Sequence, residues 1–105
     1  MAIADEAKPL TRLKNSLSTG NMWLAILSIM KKRKVYAYAL PESIEKQFGY
    51  KPSRIMMYLV LYKLEAEGLI KSEFEERRKY YGLTEKGKST LKEAKKYLLY
   101  LGKKL

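Results

Sequence analysis

Residues 51–84 constrain the fold of this chain more than any other stretch. Lys51-Pro52-Ser53-Arg54 leads into the helically periodic apolar run 55–64, which gives way to Glu65-Ala66-Glu67-Gly68-Leu69-Ile70. Lys51 is extended because a proline follows it. Ser53 suits an N-cap, since its hydroxyl can accept a free amide of the first turn. Gly68 falls where a left-handed residue ends a helix, with Leu69 just beyond it for the accompanying apolar contact. The helix predicted over 54–67 puts Met57, Val60, Leu61 and Leu64 on its core face and Arg54, Tyr58 and Tyr62 on the opposite side. Past the glycine, Ile70, Ser72 and Phe74 alternate with Lys71, Glu73 and Glu75, as in a half-buried strand. Residues 79–83 return as its partner, around a tip of Glu75-Glu76-Arg77-Arg78-Lys79, and Thr84 caps a last helix. A helix stopped at glycine, a basic-tipped hairpin and a new helix describe a winged helix-turn-helix. The fold class expected is mainly α, with a small β-hairpin wing and additional N- and C-terminal helices.

Upstream, residues 1–8 read as a frayed tail, and Pro9 precedes a short helix carrying Leu10, Leu13 and Leu17. Ser18-Thr19-Gly20-Asn21 breaks it, with Asn21 as a plausible cap for the helix 22–32. That helix is apolar almost all round, so it must be covered on more than one side. Two covers are open: a second subunit, or the N-terminal segment folded back. Lys31-Lys32-Arg33-Lys34 suits a helix C-terminus, where carbonyl dipoles favour cations. Residues 35–39 are ambiguous, with the composition of a short strand, and Pro41 fits the first turn of a helix 41–48 stopped by Gly49. The division expected is 1–20 as tail and helix, 21–84 as the winged-helix unit and 85–105 as a dimerisation helix.

Charge narrows the partners. The 105 residues carry 22 Lys and Arg against 11 Asp and Glu, a net charge of +11. A polyanion is the obvious partner, since Lys and Arg neutralise phosphates and release counterions. Double-stranded DNA is the expected one, given the fold. Cysteine and histidine are both absent, which removes a disulfide framework and the common zinc sites. No metal or cofactor is expected. With one Asp, no His or Cys and no glycine-rich phosphate loop, an enzyme is not expected either. The apolar run 22–30 is too short to span a bilayer, and no secretory pattern opens the sequence, so a cytoplasmic location is expected. Abundant Lys, Glu, Ile and Tyr with a single Gln lean toward a thermophilic source.

The candidate DNA-binding residues are Lys51, Ser53, Arg54 and Tyr58 at the start of the third helix, and Arg77, Arg78 and Lys79 on the wing. Arg can fork onto guanine or clamp a phosphate, and tyrosine hydroxyls bond phosphates. Tyr62, nearer the helix end, is expected to pack on a neighbouring helix. Glu75 and Glu76 oppose a phosphate role for the tip unless Arg77 or Arg78 pairs with them. Tyr80 and Tyr81 cannot both point inward, so one is exposed. In the last helix Leu91, Ala94, Leu98, Leu101 and Leu105 recur at spacings of three and four, an a/d seam. Its partner is expected to be a second copy of the chain, with Leu10, Leu13 and Leu17 helping; the alternative folds the helix back along residues 22–30.

These residues carry a resemblance to PadR-type winged-helix transcriptional regulators, from about Asn21 onward. The family's Leu- and Ile-rich opening helix is similar to Trp23-Leu24-Ala25-Ile26-Leu27. Its Thr-Leu-Tyr motif resembles Met56-Met57-Tyr58, and its Leu-Glu-x-Glu-Gly-Leu-Ile matches 64–70. Its Arg-x-Tyr-Tyr-x-Leu-Thr-x-x-Gly matches Arg78 through Gly87, while its His-Gly-Tyr-Glu-Leu is replaced by Tyr36-Ala37-Tyr38-Ala39-Leu40. MarR-type winged-helix families share parts of these motifs. The resemblance implies a dimeric DNA-binding repressor or regulator that dimerises through its C-terminal helix, often aided by an N-terminal one. Some family members bind planar aromatic effectors near the dimer interface; no effector is indicated by this sequence, and Trp23 is read as core. Two other functions stay open: a nonspecific, chromatin-like DNA binder, and a protein-interaction module built on the winged fold.

Overall fold

The most apolar helix sits at the centre. In the computed structural model, which describes residues 5–105, α1 (Lys8–Leu17) and a 3-10 turn lead into α2 (Met22–Met30). Then follow β1 (Val35–Tyr36), a second 3-10 turn, α3 (Leu40–Phe48), α4 (Arg54–Ala66), β2 (Ile70–Glu75), β3 (Arg78–Leu83) and α5 (Glu85–Lys104). Helix α2 packs against α3, α4, α5 and β3, which bury Met22, Ala25, Ile26, Leu27 and Met30. Much of its cover therefore comes from the body of the same chain, while Trp23, Leu24 and Ile29 stay half-buried. Leu40 and Ile44 of α3, Met57, Leu61 and Leu64 of α4, and Leu69, Ile70 and Tyr81 complete the core.

The ambiguous segment after α2 resolves into a two-residue strand. Val35 pairs with Tyr81 and Tyr36 with Tyr80, so the hairpin becomes a three-stranded antiparallel sheet in the order β1-β3-β2. Two glycines stop the helices as their sequence positions imply. Gly49 (φ 83°) follows α3 and Gly68 (φ 77°) follows α4. After α4 the chain forms a complete Schellman closure. Leu69 N–H donates to the Leu64 carbonyl at 3.0 Å, and Gly68 N–H donates to that of Glu65 at 3.0 Å. Thr84 caps α5 by accepting from Gly87 N–H at 3.0 Å, and its hydroxyl donates to the Gly68 carbonyl at 2.6 Å. One residue thus ties the start of α5 to the end of α4.

Several expectations need correction. Asn21 precedes α2, but its side chain caps nothing. Its amide instead donates to the Ser16 carbonyl at 2.6 Å, and its oxygen accepts from the Trp23 indole at 3.2 Å. Of the expected frayed tail, residues 1–4 lie outside the described residues. Within the rest, Lys8 already belongs to α1, and Glu6 binds Thr11 at 2.7 Å and Lys14 at 2.6 Å. The alternation predicted for β2 holds at buried Ile70 and half-buried Ser72 but fails at Phe74, which is 71% exposed. The outer half of β2 is exposed on both faces, so its inward side meets solvent. Helix α1 buries none of its residues. No helix among the described residues is long and apolar enough to cross a membrane.

Candidate nucleic-acid interface

The start of α4 is fixed by local bonding. Ser53 Oγ accepts the Met56 amide at 3.3 Å, the expected N-cap, and Pro52 is buried beneath it. The Arg54 guanidinium lies 4.2 Å from the centre of the Tyr38 ring and donates to the Tyr38 carbonyl at 3.0 Å. Glu42 of α3 stands between the two cations, 3.4 Å from Lys51 Nζ and 4.0 Å from Arg54 Nη2. Its carboxyl is held below the usual range by its own backbone amide and then by Lys51 and Arg54. Lys51, Ser53, Arg54 and Tyr58 thus gather at one end of the helix. Lys51 and Arg54 are positioned by α3 rather than hanging free.

The solvent side of α4 departs most from the sequence reading. Ile55 is 75% exposed, Leu59 50% and Tyr62 74%, and they follow one another along a single helical stripe opposite the core face. The expectation that Tyr62 packs on a neighbouring helix is overturned. Among the described residues no element covers that stripe: the sheet approaches α4 from its flank, where the Glu65 carboxylate accepts from the Ser72 hydroxyl at 2.7 Å and the Ser72 amide at 3.2 Å. Tyr58 and Met56 are exposed beside the stripe.

The wing is tighter than its sequence suggests. Glu75 pairs with Arg78 across the ladder, so the turn is only Glu76-Arg77, with φ of 51° and 72°. Both central residues are left-handed, the conformation of a two-residue hairpin turn that matches the strand twist. Of the three basic residues assigned to the tip, only Arg77 is there. Arg78 and Lys79 belong to β3. The Arg78 guanidinium lies 5.0 Å from the centre of the Tyr36 ring, and the Lys79 ammonium 5.3 Å from that of Tyr81. Lys34 offsets one of the wing's negative charges, binding Glu75 and approaching Glu73 at 3.5 Å. The Glu75 bond chiefly pushes the Lys34 ammonium up. Tyr81 is buried, and Tyr80 turns to the other face, where its ring centre is 5.8 Å from that of Tyr36.

Tyr36 and Tyr38 were not picked out from the sequence as site residues. Their ring centres are 6.1 Å apart, and they link Arg54 on α4 to Arg78 on the wing in one cation–aromatic stack. The Tyr-x-Tyr spacing entering a short strand was the available signal. Glu42 and Lys34 carried none, because their partners are remote in sequence.

The leucines assigned to an interface fall into two groups. Leu91 and Ala94 are half-buried where α5 packs on α2, whereas Leu98 and Leu101 are exposed. Leu10, Leu13 and Leu17 are exposed on α1. Between these groups runs a groove of about 350 Å³, lined by Leu17, Leu24, Phe48, Tyr50, Leu91 and Leu98. Burial pushes the Tyr50 phenol up.

Comparison with known proteins agrees with this geometry. A PadR family transcription regulator from Clostridium difficile R20291 superposes with a TM-score of 0.74 at 30% identity, over 80% of this chain and 93% of that one. A PadR family regulator from Eggerthella lenta gives 0.77 at 26% identity, over 90% of this chain and 87% of that one. A PadR-like factor from Bacteroides fragilis gives 0.75 at 26%, over 89% and 94%. No curated protein sequence matches the chain. The profile of the transcriptional regulator PadR-like family matches residues 26–93, which hold the second half of the central helix, the α4 motif, the wing and the Thr84–Gly87 cap. The chain belongs to the PadR-like family and is a winged-helix, DNA-binding transcriptional regulator.

Proposed function

We propose that this protein is a homodimeric repressor that recognises a specific double-stranded DNA operator in the cytoplasm. Residues 21–84 form the reading unit, and the helices within 1–20 and 85–105 pair two copies. Lys51, Ser53, Arg54 and Tyr58 meet DNA at the start of α4, and Arg77, Arg78 and Lys79 meet it from the wing. The observation that carries this reading is the stack joining Arg54 to Arg78 through Tyr38 and Tyr36. It sets the cations of α4 and of the wing in one fixed relation, as groove and backbone contacts made together require. Two such units would place their helices in successive major grooves, about 34 Å apart. Selection from random duplexes is expected to yield an inverted repeat with that half-site spacing. Recovery of no preferred sequence would favour the chain as a nonspecific architectural binder.

Dimerisation rests on the far half of α5. Tyr97, Leu98, Leu99, Tyr100 and Leu101 are all at least 40% exposed, which is costly for a lone helix in water. The groove beside Leu17 and Leu98 offers room for side chains of a partner helix, or for an apolar effector. The double substitution Leu98→Lys, Leu101→Lys is expected to leave each protomer folded. It should weaken self-association at least about a hundredfold, since each leucine buried is worth ~1.5 kcal/mol or more. Sedimentation should then report the monomer mass of 12.2 kDa where the native chain reports twice that. An unchanged mass would remove α5 from the interface.

Glu42 restrains two of the proposed phosphate contacts. Glu42→Gln is expected to raise DNA affinity about two- to fivefold, the range for releasing exposed ion pairs. Anisotropy titration at low salt measures this, and a fall in affinity would mean that Glu42 aims Lys51 and Arg54 productively. The pH dependence follows from the same groups. The Glu42 carboxyl is depressed, so its ion pairs are complete above the ordinary carboxylate range and are lost only as pH falls through the lowered value. The Lys34 ammonium is raised, so its pairing is complete below the ordinary lysine range and is lost only above it. With no histidine in the chain, affinity is expected to stay flat between about pH 6 and pH 8.5.

A further inference from the structure

We propose that the apolar stripe of α4 reads thymine C5-methyl groups, so that the operator's central contacts are A·T pairs recognised by Ile55 and Leu59. This rests on the proposed DNA-binding function and deepens it. The solvent side of a helix in a small protein is ordinarily polar, since an amphipathic helix turns only one stripe inward. Here Ile55, Leu59 and Tyr62 lie on the side away from the core, all at least half exposed. The stripe contains no Asn, Gln or Arg, the side chains that make paired hydrogen bonds to adenine or guanine edges. A base-reading surface of this kind can recognise one apolar feature of the major groove, the thymine methyl.

Charge identifies nucleic acid rather than protein as the occupant. The stripe is rimmed by Lys51 and Arg54 at the helix start and by Lys63, exposed on the flank away from the sheet. Arg77 and Arg78 belong to the wing, which joins α4 on the other flank through the Glu65–Ser72 bonds. An apolar strip between cations complements a groove whose floor carries methyl groups and whose edges carry phosphates. Tyr58 and Tyr62, both exposed, add hydroxyls suited to phosphate oxygens.

The experiment replaces thymines of a selected duplex one at a time with 2′-deoxyuridine, which keeps every hydrogen bond and removes only the methyl. The native protein is expected to lose about fourfold in affinity at each contacted position, the fold-change equal to ~0.8 kcal/mol per buried methyl-sized group. In Ile55→Ala and Leu59→Ala that loss should vanish at one position each and persist at the others. Both residues are exposed, so folding is not at risk, and circular dichroism would verify it. Tight binding with equal affinity for thymine and uracil duplexes would overturn the methyl reading while leaving DNA binding intact. Failure to bind any duplex would overturn the DNA function itself, and this inference with it. If Leu59→Lys dissociated a self-associated species in the absence of DNA, the stripe would be a contact between copies and the inference would fall.

Discussion

Replacing Gly87 by alanine is expected to lower the melting temperature by about 12 °C or more, the shift that ~3 kcal/mol produces in a domain of this size. Gly87 is buried in the first turn of α5. A Cβ there would overlap the Leu69 carbonyl oxygen and come within 2.9 Å of Leu83 Cδ2. The carbonyl belongs to the backbone that also accepts Thr84 N–H at 3.1 Å, so it cannot move without breaking that bond. The helix must instead be pushed off the α4–β2 junction, opening the core beside Leu69 and Leu64. Gly102 supplies the control. Nothing lies within 4 Å of its Cβ position, so Gly102→Ala should hold or slightly raise stability, since alanine favours the helix. Thermal unfolding of both variants by circular dichroism decides the matter, and equal melting temperatures would refute the close packing of α5 on that junction.

Leu59→Glu is expected to reduce DNA affinity at least a hundredfold with an unchanged melting temperature. Leu59 sits at the centre of the exposed stripe and takes no part in the core. A carboxylate at that place would enter the groove without a partner and face the phosphates, a loss of several kcal/mol in either effect. Because the side chain is half exposed in the free protein, the same charge costs the fold little. Anisotropy titration of the variant against a bound duplex gives the result. Affinity within about threefold of the native value would mean that another face of the protein meets DNA.

Much of this fold was legible because its signals are local. Ser53, Gly68 and Thr84 punctuate the α4–wing–α5 segment at positions where only small or hydroxyl side chains complete the backbone bonding. The core stripe of α4 was legible for the same reason, since helical period alone places Met57, Leu61 and Leu64 together. What escaped reading depends on partners distant in sequence. Asn21 has the composition of a cap, yet its side chain bonds the preceding turn and Trp23. Lys34 sits 41 positions from the Glu75 it neutralises, and no pattern in the sequence joins them. The basic run at the wing looked like one loop tip because composition does not show register. The Glu75–Arg78 pairing moves two of those three residues into the strand. The place of Tyr62 near the helix end suggests packing on a neighbouring helix, yet α4 leaves it exposed on the face proposed to read DNA.

The most direct test of the central claim is a binding titration on the DNA just upstream of this protein's own gene, run beside a scrambled fragment at two salt concentrations. A sequence-reading regulator gives a complex that survives higher salt and competitor only on the native fragment, because base contacts add to the phosphate contribution that salt weakens. Equal binding to both fragments, lost together as salt rises, would contradict it and leave a protein that holds the DNA backbone without reading its sequence.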